Sequence, residues 1–320
     1  MAIIAIDAGH GAVKAMSSSG QRVLFPSLIH PAPNAVDLGG FGQSAATTID
    51  GVAFLVGESA RRGGTPLWSK DKAADEDTLR LILVAAAELG ATGPVRLATG
   101  LPLSWFGSQH QALKQALRGY GADIVLPNGS HTRFWFETVR VLPQGVAAAG
   151  PVLDHPDYAP GPYLIVDVGY RTTDYIVVMK LADGSLDFDP TAAGSLDLGM
   201  HAVHAALAEV LSTRHRTTFT AAQVAEVDTV VVRGQRLDLS EERTVQETRM
   251  ARAVVQGLLE KLDSQMDQVL GLVAVGGGSD VLVQSIPGLI PPADAQWVNA
   301  RGYLSASLLP YNVPAQASGR

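Results

Sequence analysis

An α/β fold built from two related halves is what this chain of 320 residues predicts, and three observations predict it. The first is the stretch Tyr163-Leu-Ile-Val-Asp167-Val-Gly169-Tyr-Arg-Thr172-Thr173-Asp174-Tyr-Ile-Val-Val-Met179: an apolar run, a turn of small and polar residues, then a second apolar run. The second is that the chain opens on the same design, Ile3-Ile4-Ala5-Ile6-Asp7-Ala8-Gly9-His10-Gly11-Ala12-Val13-Lys14, with Asp7 and Asp167 160 positions apart. The third is the element order, in which strands come first and helices then alternate with further strands. Each turn suits a metal-bound phosphate. Glycine lets backbone N–H groups approach an anion, threonine adds donors, and the carboxylate holds the accompanying cation through water. Two such hairpins, one heading each half, predict a nucleotide clamped between them.

Taken in order, residues 2–6 and 12–16 form the first hairpin, and Arg22 to Phe25 is a third strand before Pro26-Ser27. From Pro31 to Gly51 the composition turns to Gly, Pro, Asn, Ser and Thr, which reads as a loop-rich excursion returning in the strand from Val52 to Val56. A helix starts within the acidic stretch Asp71 to Asp77, carries Leu79, Ile82, Leu83, Ala86 and Leu89 on one face, and stops at Gly90. A buried strand follows from Val95, and Ser108 is the expected cap of a helix through Leu117. Strands at Asp123–Leu126 and Phe134–Val141 lead through Pro143-Gln144-Gly145 into an alanine-rich helix. Asp154 to Pro162, with three prolines, marks the boundary between halves.

Beyond the Asp167 hairpin the sequence predicts a strand near Ser185–Phe188, a helix over about 197–211, a short helix capped by Thr220 and a strand at Asp228–Val232. Asp238-Leu-Ser-Glu241 fits a capping box opening a long helix, with Val254, Leu258, Leu262, Met266 and Val269 on one face and its end at Gly271. Leu272 to Val275 is then a strand, Gly276-Gly277-Gly278 a turn, and Asp280 the cap of a helix. The tail after Pro310 is small and polar and is expected to fray.

Composition excludes several classes. With 47% apolar and 17% charged residues the chain is globular, and the apolar run from Leu81 to Ala87 ends at Glu88, far short of a membrane span. No basic leader precedes the first strand, and there is no cysteine, so neither disulfides nor thiolate metal sites arise; a cytoplasmic location is expected. The net charge of −7 and the lack of any basic run interleaved with aromatics argue against direct nucleic-acid binding. Neither a P-loop nor a Rossmann fingerprint occurs, and the eight histidines lack transition-metal spacing. Taken alone, Asp7-x-Gly9-x-Gly11-x-x-Lys14 is compatible with an ordinary hairpin turn, and Gln144 with a helix N-terminal residue that does no chemistry. Recurrence at Asp167 and the placement of the triple glycine between strand and helix favour ligand binding.

Together, Asp7 to Lys14, Phe25-Pro-Ser-Leu28, Val56-Gly-Glu58, Thr99-Gly-Leu-Pro102, Val141-Leu-Pro-Gln144, Asp167 to Asp174, Val275-Gly-Gly-Gly278 and Asn299-Ala-Arg-Gly302-Tyr303 resemble the prokaryotic actin-like proteins, specifically the ParM-like and archaeal-actin-like group associated with plasmid segregation. The resemblance runs in order from residue 3 to about 309. It implies an actin-like ATPase fold of two RNase H-like lobes, each with a small inserted subdomain, holding ATP and Mg²⁺ in the cleft. Lobe I would span 1–160 with its insert at about 31–91, lobe II 161–302 with its insert at about 190–245, and 303–320 would return to lobe I. Gly9, His10, Gly11 and Lys14 would form the first phosphate loop, and Gly169, Tyr170, Arg171 and Thr172 the second. Gly276, Gly277 and Gly278 would pack on the adenosine, and Asp7 and Asp167 would hold the magnesium through water. Gln144 would orient the attacking water. Some relatives carry glutamate there; glutamine is no strong base, so slow hydrolysis is expected. His10 and Tyr170 stand where such loops usually have smaller or hydroxylated residues. The implied activity is ATP-driven filament assembly with other copies of the chain, reaching plasmid DNA through a DNA-binding adaptor. The competing reading on the same lobes is a sugar or carboxylate kinase, for which Asp189 and Asp197 are unconvincing acceptor bases; a chaperone-like ATPase ranks last.

Overall fold

In the computed structural model the residues described are 1–33, 46–61, 65–286, 289 and 292–308. The polar tail, the C-terminal end of the resemblance and much of the 31–51 excursion therefore lie outside the described residues. Strands β1 (Ala2–Ala8), β2 (Ala12–Ser17) and β3 (Arg22–Pro26) form the opening meander. They are followed by β4 (Leu28–Pro31), β5 (Ala46–Ile49), β6 (Val52–Val56), β7 (Thr65–Pro66) and helix α1 (Glu76–Glu88). Strand β8 (Gly93–Leu101), helix α2 (Leu103–Leu117), β9 (Gly121–Val125), β10 (His131–Pro143) and α3 (Val146–Leu153) complete the first half.

The second half repeats the pattern. It comprises β11 (Gly161–Val168), β12 (Thr173–Lys180), β13 (Leu186–Leu196), α4 (Met200–His215), α5 (Ala221–Val224), β14 (Thr229–Val232) and β15 (Gln235–Asp238). After these come α6 (Ser240–Leu262), β16 (Gly271–Val275), α7 (Ser279–Ser285) and α8 (Val298–Leu308).

Sheet topology establishes the duplication. The first sheet runs β3-β2-β1-β8-β10 and continues through β9, β5, β6, β4 and β7; the second runs β13-β12-β11-β16. In both, an antiparallel hairpin is followed by a parallel strand, with Ile6 beside Thr99 in the first and Asp167 beside Val275 in the second. Parallel central strands are covered on both faces, which is why β1, β8 and β11 read as nearly continuous apolar runs. One core gathers Ile4, Ile6, Leu81, Leu97 and Phe136 in the first half; another gathers Leu164, Val166, Val254, Leu258 and Ala274 in the second. A satellite core of Leu207, Leu211, Val224 and Leu239 lies where α4, α5 and the β14–β15 hairpin meet.

Several helix ends differ from expectation. Helix α2 begins at Leu103 directly after Pro102, not at Ser108, whose hydroxyl instead donates back to the Trp105 carbonyl within the helix. Asp238 does not cap α6 through a box with Glu241: Leu239 holds the cap position, and Asp238 accepts from both the N–H and the hydroxyl of Ser240 as an Asx turn. That helix stops at Leu262, because Asp263 adopts a left-handed φ of 43°; Met266 and Val269 still reach the core from the 3₁₀ turn and the residue after it. Asp280 lies in the first turn of α7 without capping it, and Leu186–Phe188 opens an eleven-residue strand that Ser185 precedes. The helix expected from 197 begins at Met200 and runs on to His215. The Thr220 cap is present, reciprocated by Gln223.

Helix α8 returns the chain to the first half, where it packs on β1, β8 and α3. Its closest approach is at Gly302, where a Cβ would come within 1.9 Å of the Ala147 carbonyl oxygen. Gly302→Ala is therefore expected to destabilise the fold by about 1–3 kcal/mol. Gly107→Ala, at an exposed α2 position with open space around it, should stabilise by about 0.5–1 kcal/mol. Urea denaturation of the two variants checks both signs.

Candidate functional site

Both hairpin turns are built alike. A Cβ on Gly9 would sit 2.9 Å from the Ala12 carbonyl oxygen, and one on Gly169 2.9 Å from that of Thr172, so each turn is too tight for any side chain at that point. Further bonds hold the loops open toward the cleft. The Ser27 hydroxyl donates to the Gly9 carbonyl (2.5 Å) and the Ser27 N–H to that of Gly11 (3.0 Å). The first N–H groups of α4, from Met200 and His201, donate to the carbonyls of Gly169 and Tyr170.

Strand register places a partner opposite each loop aspartate, Lys14 opposite Asp7 and Asp174 opposite Asp167. The Lys14 ammonium lies 3.5 Å from the Asp7 carboxylate. The second hairpin instead brings two carboxylates together in a buried place, Asp167 and Asp174 being 5% and 2% exposed. Burial pushes the Asp167 carboxyl up to about 6, opposed by the hydrogen bond from Asn299. Burial and then the neighbouring Asp167 push Asp174 up to about 8, opposed by the Ser195 hydroxyl that donates to it.

A hydrogen-bonded bridge joins the lobes beneath these groups. Gln144 Nε2 donates to Asp7 Oδ1 (3.0 Å), and Asn299 Nδ2 donates to Asp167 Oδ2 (2.6 Å). Asn299 Oδ1 in turn accepts the N–H of Gly145 (3.2 Å), so the turn after β10 is held by both.

Asp7, Lys14, Gln144, Asp167, Asp174 and Asn299 line one cavity of about 340 Å³, within the range of small-molecule sites. Every residue expected at the site reaches it: Asp7, Gly9, His10, Gly11, Lys14, Gln144, Asp167, Gly169, Tyr170, Arg171, Thr172, Gly276, Gly277 and Gly278. Gly276 has φ +89°, and a Cβ there would strike the Asp167 carboxylate at 2.3 Å. Sequence reasoning missed Asp174, Asn299, Lys72, Met200, His204 and Glu226, which also line the cavity. The seven-residue spacing that pairs Asp7 with Lys14 would have found Asp174; the others arrive from distant elements. No residue of α6 lines the cavity; Met200 and His204 of α4 do. Asp189 and Asp197 do not line it either, and Asp189 accepts from Thr191 in a local turn.

His10 and Tyr170 have their own roles. Burial and the nearby Lys72 push the His10 imidazole down to about 3, so it is neutral, and its Nε2 lies 3.1 Å from the Ser69 carbonyl as donor. The Tyr170 ring crosses the cleft to cover Gly11, where a Cβ would meet it at 2.8 Å, and its hydroxyl lies 3.2 Å from His201 Nδ1. Arg171 turns away from the loop: Nη1 donates to the Trp68 carbonyl (2.7 Å), and its guanidinium lies 4.5 Å over the Trp68 ring.

As to metal, among the described residues no three His, Asp or Glu side chains are placed to hold an ion directly. Two separated carboxylates, Asp7 and Asp167, fit a hydrated magnesium ion carried by phosphates, since Mg²⁺ retains several waters.

Two lobes with duplicated strand order and paired hairpins facing one cleft define an actin-like fold. Residues 5–146 match the family described as actin like proteins N terminal domain, and residues 165–287 that described as archaeal actin homologue MreB-like, C-terminal. The chain belongs to the prokaryotic actin-like proteins. It is 27% identical to an archaeal actin homologue of Thermoplasma acidophilum and 26% to one of Thermoplasma volcanium, each match covering 96% of this chain and 99% of the relative. A crystal structure of an archaeal actin homologue in complex with ADP superposes with TM-score 0.79 at 26% identity, over 96% of this chain and 99% of that one. A 15-stranded ParM filament from Clostridium botulinum shares the fold, with TM-score 0.84 at 21% identity over 96% and 98% of the two chains.

A carboxyl whose folded-state pKa lies above its ordinary value favours the folded protein while protonated, and that contribution is lost as pH rises through the folded pKa. Buried His10, held down to about 3, and His204, held down to about 4, act in the opposite sense up to about pH 6.5. With Asp167 at about 6 and Asp174 at about 8, the nucleotide-free protein should therefore lose thermal stability mainly between about pH 6.5 and pH 8. Asp174→Asn keeps an acceptor for Ser195 and should flatten the fall above pH 7, which melting curves in metal-free buffers will show.

Proposed function

We propose that the protein is an ATPase that polymerises into filaments in a nucleotide-dependent way and serves plasmid DNA segregation through a separate DNA-binding adaptor. The observation that carries this reading is the convergence of both phosphate hairpins, the triple glycine and Gln144 on one cleft between two lobes. The ADP complex of an archaeal actin homologue supports nucleotide as the ligand, and the ParM filament supports assembly of this fold. A head-to-tail contact is heterologous, so an open helical polymer results when its rotation does not close. With a net charge of −7 the chain is poorly suited to hold DNA by itself, which is why an adaptor is invoked. Among the described residues no helix is long and apolar enough to cross a membrane, and we place the protein in the cytoplasm.

The proposed chemistry is positional. Lys14 and the loop N–H groups of Gly9 to Gly11 and Tyr170 to Thr172 hold the phosphates, while the Gly169 N–H closes the second turn on the Thr172 carbonyl. Gln144, its amide N–H committed to Asp7, offers its carbonyl oxygen to the attacking water. Asp7 and Asp167 hold the waters of Mg²⁺, which when bound neutralises charge on the phosphates. Lobe limits of 1–160, with an insert at about 31–91, and 161–302, with an insert at about 190–245, complete the proposal, except that the return to lobe I begins with α8 at Val298 and not at 303.

Ultracentrifuge pelleting with Mg-ATP, Mg-ADP or no nucleotide, with phosphate release followed in the same tubes, tests it. ATP-specific pelleting with slow release is expected; sedimentation indifferent to nucleotide overturns the filament reading. Gln144→Ala should slow hydrolysis by about 10²–10⁴-fold while nucleotide binding persists. Asp167→Ala should abolish Mg-ATP turnover; normal turnover removes Asp167 from the metal shell.

A further inference from the structure

Lys72 lies in neither hairpin, yet it lines the cleft, 3% exposed, alongside Asp7, Gln144 and Asp174. It belongs to the segment 67–75 that precedes α1. Its ammonium donates to the Ala8 carbonyl (2.5 Å) at the end of β1. Among the described residues no carboxylate lies within ion-pair distance of it: Asp7 is engaged by Lys14 and Gln144, and Asp174 accepts from Ser195. An ammonium removed from water costs several kcal/mol unless an anion or further acceptors meet it. One carbonyl and the charges of Asp7, Asp174 and Asp75, none of them within ion-pair distance, leave burial the larger effect on the Lys72 ammonium, and the residue lines the cavity. A lysine needed only to fasten the segment would be expected to pair with a carboxylate or reach solvent.

The segment has a second, separate anchorage. Trp68 is held on the second lobe by the Arg171 bond, and its ring packs against His201 at 4.5 Å between centroids. Lys70 lies 3.6 Å from Asp197, and the Ser69 carbonyl is engaged by His10. These contacts tie the backbone around Lys72 to both phosphate loops.

We propose that Lys72 is a phosphate-contacting residue, delivered by segment 67–75 to the end of the cleft beside Gln144, where it binds the terminal phosphoryl group of a nucleoside triphosphate. This rests on the reading of the cleft as a nucleotide site and deepens it. Lys14, beside Asp7, serves the phosphates from the first hairpin, and Lys72 supplies a second cation at the terminal phosphate as its bond to the leaving diphosphate breaks. A diphosphate lacks the group Lys72 meets. The residue therefore distinguishes triphosphate from diphosphate.

The test uses the full-length protein and Lys72→Met, which keeps the apolar stem, and Lys72→Arg, which keeps the charge. Calorimetric titration with Mg-ATP and Mg-ADP, single-turnover hydrolysis and nucleotide-free melting temperature are measured for each. For Lys72→Met, hydrolysis should fall by about 10²-fold and ATP affinity by about tenfold or more, with ADP affinity unchanged within about threefold. Its melting temperature should be unchanged or higher, because an unpaired buried charge has been removed. Lys72→Arg should recover part of the ATP preference. A lowered melting temperature with intact ATP-over-ADP preference, or equal loss for both nucleotides, overturns the proposal and leaves Lys72 a fastening residue. Wild-type protein that binds neither nucleotide overturns the nucleotide reading and this proposal with it.

Discussion

The constraint on which the site depends is the buried polar bridge that joins the two loop aspartates. Asp7 belongs to one lobe and Asp167 to the other, and each is hydrogen-bonded by a carboxamide, Gln144 and Asn299 respectively. The carboxamides are themselves coupled, since Asn299 accepts the N–H of Gly145, next to Gln144. A change in separation of the lobes therefore cannot leave both carboxylates satisfied without moving the turn that carries Gln144. In a low-dielectric cleft an unsatisfied buried carboxylate is costly, which gives this short chain of bonds leverage over the relative position of the lobes.

Duplication of the fold did not duplicate its charges. Equivalent register positions hold a lysine in the first hairpin and an aspartate in the second. The first hairpin is thus compensated within itself, while the second carries two buried acids that ionise only with difficulty. Positive charge reaches the second hairpin from other elements, Lys14 acting on Asp167 and Lys72 on Asp174. The asymmetry explains why one half resembles a closed ion pair and the other a site awaiting positive charge.

Contacts around the cleft mouth share a different character. Arg61 with Glu226 and Lys70 with Asp197 span the lobes but are solvent-exposed and contribute little individually. Trp68 over Arg171, with its carbonyl taken by the guanidinium, combines a directed hydrogen bond with a cation–π contact and is the firmer tie. Tyr170 reaching across to Gly11 fills space that a smaller residue would leave to solvent. The cleft is therefore bordered by side chains from both lobes, and its width is set by packing as well as by the bridge beneath.

The sequence by itself determined the elements whose causes are local. Alternation and apolar runs gave the strands, the tight glycine turns gave both cleft hairpins, each from residues within a few positions of one another, and the recurrence of the hairpin gave the duplicated fold. Helix ends were less legible, because at Ser108, Asp238 and Asp280 a plausible capping residue competes with other hydrogen-bonding arrangements of equal local merit. Only the tertiary structure decided which groups meet. Gln144 stands 137 positions from Asp7, Asn299 132 from Asp167 and Lys72 64 from Ala8. No periodicity or turn chemistry links such residues. Their encounter is fixed by strand order and by the helices that close the two sheets on one another, terms to which the local sequence is blind.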